Sequence, residues 1–385
     1  MKSLESVINY TLEVLKKHPE RDLNRAREAA LAGKKRKYPV MYIDHLGDPA
    51  DTFVPQGEME LPTFEISDPH ESKLAGELLS KLVPLKMLNP VCLDFGLGKG
   101  PGTLVSCFGI PLDPETEDCP AFTKSIEDVL SQPLPNPKTS GLMPEILKKI
   151  RIIKALTPDT LKIALPDTQG AFNIAHSLVG EEALIEAYLN PDRFHQLMEK
   201  ITDFWIQCVT VLKEVIGSDR ETVWDRALRL RECSVNLISP EMYKEFVLPY
   251  DLKMTGAFSP LGIHTCSGAH VFYATLENIP GIAYTEAGHI ECATAGFTEV
   301  AEAITAIQGK DILLNIGQEL PEGKELELIK SDLDYYLQTK RLLFCYNGMH
   351  WRKKDRPLIR EIHRAADAYW NEKILSNSAL ECQEK

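Results

Sequence analysis

The amino-acid sequence predicts an α/β fold, a (β/α)8 TIM barrel. Three observations carry this. Eight short apolar runs are spaced along the chain; longer segments with helical periodicity alternate with them; and most of the runs are continuously apolar, as strands covered on both faces are. The balance of 44% hydrophobic to 26% charged residues is that of an ordinary globular protein and excludes a disordered or collagen-like chain.

The elements follow in order. Residues 1–38 form an N-terminal helical extension, in which Leu4, Val7, Ile8, Leu12 and Leu15 recur near period 3.6, so the first 35 residues read as helix. The basic run Lys34, Lys35, Arg36, Lys37 then connects to the barrel, residues 39–375. Its strands are expected at 39–44, 90–95, 161–165, 222–227, 261–266, 282–286, 311–316 and 341–346. A strongly periodic helix spans 182–216, with Asn190 and Pro191 able to cap an internal restart. Ser239-Pro240-Glu241 opens another helix in the same way, and 297–307 and 325–338 are two more. The connections 45–89 and 96–160 exceed what one helix needs, so the first two or three βα connections carry insertions, punctuated by Pro and Gly. Residues 376–385 read as a polar tail.

Charge and cysteine usage bound the function. Lys and Arg number 43 against 56 Asp and Glu, a formal net charge of −13. That disfavours nucleic acid and anionic membranes as partners, because both need an excess of Lys and Arg. Nine cysteines, with no CxxC and irregular spacing, argue against a disulfide framework and for a reducing compartment. The N-terminus carries charges inside its apolar pattern and does not read as a signal peptide. The charge-free window 254–276 contains Pro260, Gly262, His264 and Gly268, so no membrane helix is expected there. These readings together predict a soluble cytoplasmic protein, with a homo-oligomer left open.

In barrels of this kind the chemistry sits at the C-terminal ends of the strands. The fifth run ends His264-Thr265-Cys266, and positions i and i+2 of a strand share a face. Imidazole and thiolate together suit Zn2+, although a buried His beside a buried Cys also serves as plain core. Cys345 occupies the corresponding end of the eighth run. Three such ligands would leave a fourth position for substrate, as catalytic rather than structural zinc sites do. Glu286 ends the sixth run and reads equally as an oxygen ligand or a solvated acid. Cys292 and Cys233 compete for the sulfur positions, Cys233 with packing as its expected role.

Other strand-end residues are candidates to hold substrate: Asp44 and His45 after the first strand, Asp94 after the second, Gln169 after the third, and Trp224 in the fourth. Tyr346, Asn347 and His350 belong to the end of the eighth. Asp44, Asp225 and His289 are also candidates for a general acid. The glycine-rich stretch Gly96 to Gly102 lacks the Gly-Lys-Ser/Thr ending of a phosphate loop, and reads as a turn-rich start to an insertion.

The block Ser239-Pro240-Glu241-Met242-Tyr243-Lys244-Glu245-Phe246-Val247-Leu248-Pro249-Tyr250, followed by Gly262-Ile263-His264-Thr265-Cys266, resembles the uroporphyrinogen decarboxylase superfamily. Pro166 to Gly170, Leu189-Asn190-Pro191 and the run from Ile312 to Gly317 extend the likeness over about residues 160–370, while the first 150 residues match poorly. The superfamily contains decarboxylases, which hold a polycarboxylate tetrapyrrole with an Arg-rich N-terminal strand and need no metal. It also contains zinc-dependent corrinoid methyltransferases, which bind Zn2+ through His-x-Cys, a distant Cys on the last strand and a nearby Glu. This sequence looks like the second branch. His264, Cys266 and Cys345 fall on its pattern, Glu286 stands where a fourth ligand is expected, and strand one carries no Arg. Ser267 departs from the commoner Cys-Gly, with the glycine displaced to Gly268.

The resemblance implies a methyl transfer to or from cobalt, with Glu286, His289 and Asp225 as the catalytic candidates. Corrinoid carriers use Asp-x-His-x-x-Gly; the nearest approach here, Asp68-Pro69-His70, lacks the glycine and reads as a loop. The corrinoid is therefore expected on a separate carrier protein. The favoured direction is demethylation of a small methylated substrate, a methoxylated aromatic first. Transfer from methyl-corrinoid to a thiol, and a porphyrinogen-type decarboxylase, are the alternatives.

Overall fold

A computed structural model describes residues 1–23, 25, 41–44, 61–97, 102–111, 124–222, 228–258, 262–265, 269–282, 284–287, 300, 302–303, 306–307, 313–338, 344–347 and 356–381. The chain divides into two compact units, one comprising Met1–Leu93 with Cys292–Lys385 and the other Asp94–Glu291.

Within the described residues the elements run in this order. Helix α1 is Leu4–Lys16, strand β1 Met41–Asp44, α2 Pro69–Ser80 and β2 Asp94–Gly96. Then come α3 Gly102–Val105, α4 Ile126–Ser131, α5 Met143–Leu156 and β3 Lys162–Ala164. Helices α6 Ala171–Val179, α7 Glu181–Leu189 and α8 Pro191–Ile216 precede β4 Arg229–Arg231. Helices α9 Pro240–Phe246 and α10 Leu248–Ala257 lead to β5 Gly262–Thr265, α11 Ala269–Asn278 and β6 Tyr284–Ala287. The chain ends with β7 Leu313–Glu319, α12 Glu325–Gln338, β8 Phe344–Asn347 and α13 Arg356–Glu381.

In the unit holding both termini, β1 pairs with β8 and β8 with β7. Helix α1 is built as its periodicity predicts: Leu4, Val7, Ile8 and Leu15 are buried, and the Ser3 hydroxyl accepts the Ser6 N–H at 3.2 Å to cap the first turn. The helix ends at Lys16; Leu23 and Arg25 are helical again, and the rest of 24–35 lies outside the described residues. A 3-10 turn, Pro19–Arg21, follows His18, since the residue before a proline is pushed out of the helical region. The segment from Asp68, expected as a loop, starts α2 instead. The Asp68 carboxylate accepts the N–H groups of His70 and Glu71, both at 2.9 Å, and Pro69 takes the first helical position. Helix α13 runs on through residue 376 to Glu381.

In the other unit, β2 pairs with β3, and β4, β5 and β6 form a consecutive set. Every described strand pairing, in both units, is parallel. The core of this unit is α8, whose Phe194, Leu197, Met198, Ile201, Trp205, Cys208 and Leu212 are all fully buried. The chain breaks at Asn190 where the sequence allows a restart, with Pro191 opening α8, although the Asn190 side chain makes no capping bond. Ser239 caps α9 as expected, its hydroxyl accepting the Met242 N–H at 3.2 Å.

The expected fourth strand, 222–227, falls mostly outside the described residues. Glu221 makes a single parallel bridge with Ile163, residues 223–227 lie outside the described set, and β4 itself is Arg229–Arg231. The charged-apolar-charged triplet does not look like a buried strand, yet its alternation is that of one: Leu230 is buried, and the two arginines on the opposite face are half-buried. Most of 297–307 is also outside the described residues. No helix among the described residues is long and apolar enough to cross a membrane.

Candidate active site

The C-terminal end of β3 leads into Leu165-Pro166-Asp167-Thr168-Gln169-Gly170, which turns the chain into α6. Gln169 sits in the left-handed region at φ 50°, an uncommon conformation for a residue with a side chain. Its own contacts hold it there. The Asp167 carboxylate accepts both the Gln169 backbone N–H, at 3.1 Å, and its side-chain amide, at 2.6 Å. The Asn173 amide donates to the Gln169 side-chain oxygen, and the Trp205 indole N–H donates to its carbonyl at 2.7 Å. Gln169, one of the expected substrate residues, is thus buried and fully engaged.

Gly170 cannot carry a side-chain cap for α6, and Glu232, just past β4, supplies one. Its two carboxyl oxygens accept the N–H groups of Phe172 at 3.3 Å and Asn173 at 3.1 Å, at the positive end of the helix. A Cβ on Gly170 would lie 1.8 Å from Glu232 Oε1, so glycine is required for the approach. The Gly170 N–H donates to the Arg231 carbonyl at 2.8 Å, and the Glu232 N–H to the His264 carbonyl at 3.0 Å. These bonds lock the end of β3, the end of β4 and β5 together.

Behind this rim lies a buried acid pair. Burial, then the neighbouring Asp251, push the Glu232 carboxyl well above the usual carboxylate range. Asp251 on α10 is pushed up to about 7 by burial. The Tyr243 hydroxyl donates to Asp251 at 2.8 Å, and burial raises that phenol too. Burial raises both carboxyls, so the two titrate as one system. Tyr243 and Asp251 come from the sequence block around Ser239-Pro240, so that block builds a buried polar support behind the rim.

His264 is half-buried on β5, with Arg231 of β4 and Glu286 of β6 as its register partners. Ile263 and Thr265 of the same strand face the other way and are buried. Arg231 ends β4, and its guanidinium pairs with Asp167 at 2.6 Å. Arg231 lies beyond the expected fourth strand, 222–227, and its period-two alternation with Arg229 is the sequence signal that marks it.

Other expected site residues fall elsewhere. Asp94 opens β2 rather than ending it, and it is buried, so it does not stand at the strand's C-terminal end. Asp44 ends β1 and Asn347 ends β8, in register with each other, and Cys345 is the register partner of Tyr42. The side chains of Asp44, Glu286, Cys345, Tyr346 and Asn347 lie outside the described set, as do His45, Trp224, Asp225, Cys266, His289, Cys292 and His350 altogether. Phe258 packs edge-on against Trp205, ring centroids 5.9 Å apart. Cys233 is half-buried and not disulfide-bonded, in the 3-10 turn after β4. Among the described residues no three His, Cys, Asp or Glu side chains gather into a metal-binding group.

Residues 103–310, more than half of the chain, match the family model described as uroporphyrinogen decarboxylase (URO-D). The chain belongs to the uroporphyrinogen decarboxylase family. The matched segment contains Gln169, Arg231, Glu232, His264 and Glu286, while Cys345 lies beyond it. Among solved structures, the chain is similar to a methyltransferase from Methanosarcina mazei. The identity is 16%, the match covers 91% of this chain and 99% of that one, and the TM-score is 0.58. At that identity the likeness is one of fold. No curated protein matches the chain significantly.

Proposed function

We propose that this family member is a zinc-dependent methyltransferase of a corrinoid system, built on a closed (β/α)8 barrel. It would demethylate a small methylated compound, a methoxylated aromatic by preference, and pass the methyl to Co(I) of a separate corrinoid protein. The observation that carries the reading is His264. It is half-buried near the C-terminal end of β5, level with Glu286 on β6, and followed two residues later by Cys266. The likeness in fold to a protein named as a methyltransferase supports it.

The donor set fits zinc. One imidazole nitrogen (His264), two thiolates (Cys266 and Cys345) and one carboxylate (Glu286) are the ligand types zinc selects. When bound, the ion supplies Lewis acidity, at which an ether oxygen becomes a better leaving group. The residues do the rest. His264 is held by strand pairing on both sides, and Glu286 is the ligand we expect to yield its place when substrate arrives. The methyl leaves oxygen without the bonding pair, Co(I) provides the pair for the new bond, and the oxygen takes a proton from an acid for which Asp225 and His289 are the candidates.

The family's decarboxylase activity is the second reading. Against it, β1 reads Met41-Tyr42-Ile43-Asp44 and contains no Arg to hold a polycarboxylate. Metal analysis of protein purified without added zinc separates the two. About one Zn per chain, lost in Cys345→Ala and His264→Ala, is the expected result. Methyl transfer from methoxyarenes to a Co(I) carrier should accompany it. Metal-free protein that consumes a porphyrinogen would overturn the methyltransferase.

A further inference from the structure

We propose that Arg231 is an anion-recognition residue and that the substrate carries a carboxylate: a methoxylated aromatic acid rather than a neutral methoxyarene. This rests on the methyltransferase reading for the reaction but not for the anion site itself. Arg231 is the last residue of β4 and the register partner of His264, and in parallel strands such partners project to the same face. Neighbouring strands lie about 4.8 Å apart. A group bound at the guanidinium would therefore lie beside the strand that carries His264. Leu230, between the two arginines, points the other way and is buried, which fixes the direction of Arg231.

The charge is held, not spent. Arg231 uses one terminal nitrogen on one oxygen of Asp167, at 2.6 Å. The same oxygen accepts both N–H donors of Gln169 and is thereby fixed in place. A guanidinium offers five donors in a planar fork matched to a carboxylate, and this single contact leaves most of that fork for a ligand. The side chain keeps 18% of its surface exposed, enough to be reached but desolvated enough for a charge-assisted bond to matter.

Equilibrium binding and steady-state turnover of para-methoxybenzoate and methoxybenzene test the idea, using the zinc-loaded chain and Arg231→Met. Wild-type protein should bind para-methoxybenzoate and prefer it. In Arg231→Met that binding should weaken by roughly tenfold to a hundredfold, the range for one charge-assisted contact. The loss should appear in KM rather than kcat, the preference over methoxybenzene should collapse, and zinc content should be retained. Arg231→Lys, which keeps the charge without the fork, should fall between and guards against a folding defect. Equal binding of the two ligands by the wild type, or equal weakening of both in Arg231→Met, would overturn the carboxylate site while leaving methyl transfer standing. A zinc-loaded wild type that binds para-methoxybenzoate through Arg231, yet demethylates no methoxyarene, would support the anion site and overturn the reaction.

Discussion

Asp251→Asn should change how the stability of this protein depends on pH. Asp251 is fully buried, donates nothing in its ionised form, and faces Glu232 while accepting the Tyr243 hydroxyl at 2.8 Å. Its carboxyl is pushed from an ordinary 3.8 to about 7. A group raised by folding binds its proton more tightly in the native chain than in the unfolded one. Its full contribution is therefore present below the unfolded value and is lost as pH rises through the folded value. Each pH unit across that window withdraws about 1.4 kcal/mol, so the acid pair gives up about 4 kcal/mol between the two values. Asparagine is neutral at every pH, so it removes this titration while keeping an oxygen for the Tyr243 hydroxyl. Urea unfolding followed by the fluorescence of buried Trp205 and its fellow tryptophans reads the effect. Near pH 5 the variant should match the wild type within about 1 kcal/mol, and near pH 8 it should be the more stable by about 2 kcal/mol or more. Because all other titrating groups are common to both proteins, only the difference between the curves matters. Parallel curves from pH 5 to pH 8 would refute the raised Asp251 carboxyl.

Gly170→Ala should destabilise the protein by about 1–3 kcal/mol in the same unfolding assay, because the new methyl would overlap Glu232 at 1.8 Å and dislodge the cap of α6. Arg220→Met should cost about 3 kcal/mol or more: the buried guanidinium satisfies Leu161 O at 3.0 Å and both Thr157 oxygens at 3.2 and 2.7 Å, and methionine would leave these acceptors unpaired. Ser239→Ala should cost about 1 kcal/mol through the lost N-cap of α9, a loss that thermal unfolding will register and that Ser239→Asp should largely restore.

The alternation of strand and helix was legible because a parallel strand covered on both faces must be apolar along its whole length, and most of the runs are. Helix starts at Pro191 and Pro240 were legible for the same kind of local reason, since proline fits the first turn and little else in a helix. What failed to read were elements whose sequence logic is tertiary. Arg229 and Arg231 form a strand because Leu230 packs one face and Asp167 answers a guanidinium on the other, and no window of residues around them shows Asp167. Asp68 reads as loop because its segment is rich in Pro and acids, yet that pairing of an N-cap with proline at the first position is a helix start. At the candidate site, His264 and Glu286 each lie one residue before the end of their strands. Asp94 opens its strand rather than ending it, because a three-residue strand leaves no periodicity from which to find its end.

The residues that break local rules in the second unit concentrate at one place. Gln169 holds a left-handed backbone without being glycine, Gly170 approaches a carboxylate too closely for any other residue, and Glu232 and Asp251 bury charge-bearing groups against each other. Each costs free energy that a fold needing only stability would avoid, since apolar residues of similar size would pack β3, β4 and α10 more cheaply. What the arrangement secures is position. The Asp167 carboxylate is fixed by Gln169, Gln169 by Trp205 and Asn173, and α6 by Glu232, so the guanidinium of Arg231 is held from behind beside the strand that carries His264. A rim this constrained is worth its cost when a small ligand must meet one imidazole in one orientation, because ordering the site beforehand removes that entropy from the binding step. Loosening it should therefore weaken recognition before it touches metal content. Measured on the same protein, Gly170→Ala should lower affinity for an aromatic acid while leaving zinc bound.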